Sequence, residues 1–210
     1  MSNTNKRVLT IVIVVVSIAL IFQALLFVFA ISFPFISYLT SKPEVHTDIS
    51  EYNNLIGEKA KKEFANKWGM NENILPSKIE DSYYVQDFKF VYYNPWDAQY
   101  LTYLVIDFNN EDYSKELDRL NQYGIESYEG IYDVKGFPNY RLLAMDSDPY
   151  YGFIYAMTDD NNRIIYVELI FCNNFMDLDY DEYIKKEYLP DGFNAKLDNP
   201  YSKRYSEQYE

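Results

Sequence analysis

The apolar positions of this chain fall into three successive rhythms, and each predicts a different kind of element. The first is unbroken. From Val8 to Phe33 the only polar residues are Thr10, Ser17, Gln23 and Ser32, and none carries charge. Residues 8–33 would make about 39 Å of helix at 1.5 Å per residue. A hydrocarbon core is about 30 Å thick, so such a helix spans it with some tilt. Pro34 is the first breaker. The run is too long for the apolar region of a cleaved signal, about 7–15 residues. Phe27, Phe29, Phe33 and Phe35 also crowd the place where small residues would mark a cleavage site. No cysteine lies near it to carry a lipid. The expectation is an uncleaved transmembrane anchor at 8–33.

The second rhythm has a period of four. Tyr52, Ile56, Ala60, Phe64 and Trp68 recur with Leu55 beside them, while Glu58, Lys61, Lys62 and Lys67 lie mostly off that stripe. This predicts an amphipathic helix, capped by Asp48 or Ser50 and stopped at Gly69. A second helix is predicted after Asn109-Asn110-Glu111-Asp112, with Tyr113, Leu117 and Leu120 facing inward and Gly124 at its end. A third is predicted near Tyr180–Tyr188, before Pro190.

The third rhythm has a period of two or is continuously apolar. Tyr84, Gln86, Phe88, Phe90 and Tyr92 alternate with Asp87 and Lys89, as in a strand with one buried face. Tyr100 to Phe108 is apolar throughout, as in a covered central strand. Tyr140–Met145, Tyr150–Thr158 and Arg163–Cys172 are three more strands, and Ile125–Val134 a weaker one. In Arg163–Cys172 the residues Ile165, Val167, Leu169 and Phe171 face one way and Glu168 the other. Asp146-Ser147-Asp148-Pro149 and Asp159-Asp160-Asn161-Asn162 are short enough to close antiparallel hairpins. Runs of adjacent strands with occasional helices predict an α+β fold, two to three helices packed on one face of a mainly antiparallel sheet. The predicted organisation is a short N-terminus at 1–7, the anchor at 8–33, a linker at 34–48, one globular domain at 49–198 and a polar, frayed tail at 199–210.

Charge gives the segments an address. Lys6 and Arg7 precede the anchor, which leaves 17 basic residues against all 32 acidic ones after it, a net charge of −15. Positive flanks stay cytoplasmic, so the bulk of the chain is expected outside the cell membrane. A domain this acidic repels nucleic acid and anionic lipid, so no nucleic-acid partner is expected. Cys172 is the single cysteine, so no internal disulfide forms, and its place at the end of an apolar strand reads as a small buried hydrophobe. No Asn-x-Ser/Thr acceptor occurs. Together these lean toward a bacterial cell surface.

Candidate chemistry is sparse. One histidine, His46, and one cysteine cannot make a zinc site, and a serine–histidine triad would have to use His46 in the linker. No cofactor motif is present. Asp177, Asp179 and Asp181 begin like a calcium loop, but Glu182 stands where glycine is needed and Tyr188 where a bidentate glutamate is needed. The run is better read as a helix N-terminus. The remaining oddity is aromatic: 23 Tyr and 14 Phe. Tyr92-Tyr93-Asn94-Pro95-Trp96 and Asp148-Pro149-Tyr150-Tyr151 put large aromatics in turns, and turns lie on the surface. Tyr93, Trp96, Tyr150 and Tyr151 are therefore the candidate binding residues. The expected function is a non-enzymatic binding module for a protein, peptide or wall component. The rival readings are a carboxylate enzyme acting on glycans, and an accessory subunit or inhibitor in a larger membrane assembly.

Overall fold

The structure is a computed structural model and describes residues 3–57, 59–65, 67–171, 175 and 178–209. It divides into two units, Met1–Ser41 and Lys42–Glu210. The first is a single helix, α1 (Asn3–Thr40). Its stretch Ile11–Ser32 is long and apolar enough to cross a membrane, a property shared by anchors and signal sequences. Pro34 does not end it, since the helix runs six residues further to Thr40. A proline removes one backbone hydrogen bond, and an apolar helix tolerates that loss where others persist.

The second unit is α+β. Its centre is one six-stranded antiparallel sheet with strand order β1-β2-β3-β6-β5-β4. The strands are β1 (Glu44–His46), β2 (Tyr84–Tyr93), β3 (Gln99–Asp107), β4 (Arg141–Asp148), β5 (Gly152–Thr158) and β6 (Arg163–Ile170). Five were expected nearly where they stand. β1 was not: Glu44–His46 pairs with Tyr92–Phe90 inside what reads as linker. Conversely, Ile125–Val134 is not a strand. Ile125 makes one isolated bridge with Met145, and residues 131–133 form a 3-10 turn.

Both faces of the sheet are covered, not one. Phe88, Phe90, Tyr100, Leu104, Ile106, Ile154, Ile164 and Tyr166 meet residues from α2 (Tyr52–Leu55) and α3 (Asn110–Leu120) in one layer. Val91, Tyr93, Leu101, Tyr103, Tyr155, Ile165, Val167 and Leu169 meet Tyr132, Phe175, Tyr180 and Tyr188 in the other. β2 is therefore buried on both sides near its end, and a register shift between Val85 and Asp87 leaves Tyr84 and Gln86 exposed. Inserting an extra residue into one strand turns its side chains relative to the partner.

The helix expected over residues 49–69 stops at Leu55. Ile56 is extended at φ −132° and Gly57 is left-handed at φ +81°. The four-residue stripe is still largely apolar cover, with Tyr52, Ile56 and Phe64 buried, but turns bring it there rather than a helix. The helix expected at Tyr180–Tyr188 is two 3-10 turns, Tyr180–Glu182 and Lys186–Tyr188. The polar tail expected from Asn199 contains a helix, α4 (Pro200–Tyr209), with the Tyr201 ring 4.6 Å from that of Tyr132. Cys172 and Asp177 lie outside the described residues.

Candidate functional site

Strand pairing brings the two aromatic turns to one end of the sheet. The β2–β3 turn closes above Tyr93 paired with Gln99, and the neighbouring Tyr100 sits across from Ile170. Ile170 in turn pairs with Gly152, the first residue after the β4–β5 turn. Trp96 and Tyr150, one on each turn, stay 45% and 41% exposed. Tyr151 is half-buried, its ring 5.2 Å from that of Tyr150 and nearly perpendicular to it. Tyr93 does not belong to this surface. It is buried against the second face of the sheet, because it lies one residue out of step with Tyr92.

Trp68 joins the two turns, and its periodicity disguised it as helix core. Its indole donates a hydrogen bond to the Ala98 carbonyl at 3.2 Å, in the β2–β3 connection. Its ring lies nearly parallel to that of Tyr151, 5.7 Å away, in the β4–β5 turn. Trp68 and Gly69 both have positive φ, +54° and +85°, and Met70 N–H closes the turn on the Lys67 carbonyl at 2.9 Å. Positive φ at both central positions is the type I′ pattern, costly for a bulky residue at the first of them. Beside it Gly152 cannot be replaced freely: a Cβ there would come within 2.0 Å of the Leu169 carbonyl oxygen.

The same turn points Lys67 into the sheet. Lys67 is 5% exposed, and its ammonium lies 3.0 Å from one oxygen of Glu168, which is wholly buried on β6. Glu168 also accepts a hydrogen bond from Thr102 at 2.7 Å. Glu72 adds a second carboxylate 3.3 Å from the ammonium. The Tyr100 ring receives the same cation at 4.1 Å. Glu168 was expected on the open side of its strand, but both sides are covered. Burial pushes the Glu72 carboxyl up; Lys67 opposes this, Glu168 adds to it and the Gly57 N–H opposes it, with a net rise. Glu168 Oε1 and Glu72 Oε1 accept no hydrogen bond, so the ion pair alone answers them. A second buried network lies nearby: Tyr166 donates to Glu116, which Arg119 also binds, and Arg119 reaches the carbonyls of Asn73 and Ile74.

Glu72 also lines a cleft of about 330 Å³ with Asn53, Lys59, Asn73, Ser77 and Lys78. Among the described residues this cleft presents one carboxylate, whereas glycoside hydrolysis uses two across a cleft. Glu168 is too deeply buried to serve as the other. Asp179 and Asp181 of the acidic run are paired with Lys196 at 3.5 and 2.5 Å. Among the described residues no group of three or more His, Cys, Asp or Glu is placed to hold a metal ion. At the β4 turn Asp146 accepts from the Asn71 N–H, and burial, then Glu126 and Asp148, push its carboxyl up.

Compared with known protein families, with characterised proteins and with solved structures, the chain has no match.

Proposed function

We propose that this chain is a membrane-anchored binding module. Residues 8–33 are its uncleaved span, the N-terminus is cytoplasmic, and the acidic domain stands outside a bacterial cell, where it holds a protein, peptide or wall component. The observation that carries this reading is the pair of exposed aromatics, Trp96 and Tyr150, on two turns at one end of the sheet. Tryptophan and tyrosine lose much water-exposed area on binding while freezing few torsions. Trp68 and Tyr151 brace those turns from behind, which reduces the ordering cost of binding. Lys6 and Arg7, against the acidic remainder, support the orientation.

The test is photo-crosslinking in intact cells. A photoreactive residue replaces Trp96, Tyr150 or, as a control, Tyr84, which is 68% exposed at the opposite end of β2. The expected result is one adduct of the same mass from positions 96 and 150 and none from 84. Equal labelling at all three, or none at 96 and 150, removes the binding surface. Protease added to spheroplasts should cut away everything after about residue 40. A protected C-terminal tag reverses the orientation without touching the crosslinking result.

A further inference from the structure

The one histidine of the chain is held in an unusual way. His46 ends β1, the three-residue edge strand with which the second unit begins. Its Nε2 lies 2.8 Å from Glu44 Oε1 on the same strand. Its Nδ1 lies 2.7 Å from Glu51 Oε2, in the 3-10 turn Ile49–Glu51. Carboxylates only accept, so both ring nitrogens must carry protons for both bonds to form, and only the imidazolium has two N–H groups. The neutral ring, in either tautomer, satisfies one carboxylate and turns a lone pair toward the other.

The surroundings keep the ring in that position. Phe64 and Phe90 meet it edge-on, with centroids 6.1 and 6.0 Å away. Two cations lie over those rings: Lys61 against Phe64 at 5.4 Å and Lys67 against Phe90 at 5.3 Å. The charged groups bonded to the imidazole are Glu44 and Glu51. Little else fastens β1. It has one strand neighbour, β2, over the three pairs Glu44–Tyr92, Val45–Val91 and His46–Phe90. Val45 remains exposed. An edge strand this short gains little from its ladder, so two charge-assisted bonds are a large part of what holds it.

We propose that His46 is a proton-dependent latch for β1: protonated, it ties the strand to the Ile49–Glu51 turn, and neutral, it releases one of its two carboxylates and lets the strand open from β2. Because β1 is where the chain enters the domain, the latch sets how firmly the domain's first residues are held. Burial by itself lowers the basicity of the ring, but the hydrogen bonds and charges of Glu51 and Glu44 outweigh it and leave the net shift upward from 6.5. A group whose native pKa is raised stabilises the native form fully below its unfolded value, and that stabilisation is lost as pH rises through the native value. The latch is therefore shut on the acidic side and loosens above neutrality. This does not depend on what the aromatic end binds.

The experiment uses the full-length protein in detergent micelles. Imidazole NMR titration locates the His46 pKa, and hydrogen exchange between pH 5.5 and 8.5, corrected for the intrinsic pH dependence, reads the opening of Glu44–His46 and Phe90–Tyr92. The expected result is a pKa above 6.5 and an opening equilibrium that rises by up to about tenfold per pH unit between 6.5 and that pKa, then levels off. The β3–β6 ladder, as internal reference, stays unchanged. Glu51→Gln keeps the fold, lowers the imidazole pKa and flattens the β1 profile, whereas Glu80→Gln, in a solvent-exposed pair with Lys78, leaves the profile intact. A His46 pKa at or below 6.5, or β1 protection that does not follow the imidazole titration, overturns the proposal.

Discussion

On the sheet face that carries Thr102, Tyr166 and Glu168, the covering chain is fastened by buried charge in addition to ring pairs such as Phe64 with Phe90 and Tyr52 with Phe88. On the face that carries Tyr103, Tyr155 and Val167, it is fastened by rings. Lys67 reaches Glu168 on the first face, and Arg119 ties α3 to the carbonyls of residues 73 and 74. The second face has Tyr132, Phe153, Phe171, Phe175, Tyr180 and Phe193, meeting one another at 4.5–6.5 Å. Its ion pairs, Lys185–Asp87 and Lys196–Asp181, are half-exposed and contribute little. Neither cover is a long regular element, so each needs something besides a helical stripe to hold its place. A buried ion pair is poor at adding stability but strict about geometry. Packed rings add stability and tolerate small displacements. The first face holds the turn that aims Trp68 at the candidate binding end, and that is where strictness is useful.

The largest effects test this contrast directly. Lys67→Met leaves Glu168 buried without its cation and should cost about 3–5 kcal/mol. Lys67→Met with Glu168→Leu should recover part of that, because the charge of Glu168 is gone while Glu72 still lacks its cation. Urea unfolding in detergent, followed by near-UV circular dichroism, measures both. A single variant costing less than about 1 kcal/mol would show that water reaches the pair and the contrast is false. On the other face Phe171→Ala should cost about 3–5 kcal/mol by the cavity it leaves. Its cost should be the same at pH 5 and pH 8, since its ring partners, Tyr132, Phe175 and Phe193, do not titrate there. A double variant, Phe171→Ala with Glu168→Leu, should not recover stability.

Elements whose signal is local were legible in the sequence. Asn109 caps α3 by accepting from the Asp112 N–H, as its position before an apolar stripe predicts. β3 is a nearly continuous apolar run, and the structure buries it on both sides; β5 and β6 were read as strands near their observed bounds. What escaped was set by tertiary context. Tyr52, Ile56, Ala60, Phe64 and Trp68 fit a helical stripe, but burial constrains only which residues face inward, and turns at Gly57 and Gly69 satisfy it equally. Lys67 fell on the polar side of that stripe, where a lysine is normally solvated. Glu168 looked like the open side of a half-covered strand, and no single-chain pattern distinguishes a solvated glutamate from one buried with a partner 101 residues away. β1 is too short and too polar to show alternation. At the candidate binding end, turn composition correctly marked Trp96 and Tyr150 as exposed, because proline and asparagine place a turn without reference to the rest of the fold. It misplaced Tyr93, whose side depends on strand parity, and missed Trp68, which reaches the turns from another segment.

The smallest predicted effect is also the most specific to the charged face. Glu72 shares Lys67 with Glu168, so two carboxylates compete for one ammonium. Its carboxyl is pushed up from 4.5, chiefly by burial. In that window the native state holds a proton that the unfolded chain has released. The slope of stability with pH follows protons bound unfolded minus native, so this group makes stability fall as pH rises from about 4.5 through its native pKa. Glu72→Gln cannot titrate and should lose that contribution. The amide also changes the bonds to Lys67 and to the Gly57 N–H, but that offset is the same at every pH. The measurement is therefore the difference between wild type and Glu72→Gln, taken from pH 4 to pH 8 in one detergent. It should move in the variant's favour as pH rises, by no more than about 1.4 kcal/mol per unit, and then stay level. Other titrating carboxyls, such as Asp146 and Asp107, are present in both proteins and cancel. A difference that is flat with pH would mean that Glu72 keeps its ordinary acidity, and that Lys67 serves both carboxylates without strain. A difference that moves toward the wild type would mean that the ammonium holds Glu72 more firmly than burial opposes it, and the buried charge of this face would then be a source of stability after all.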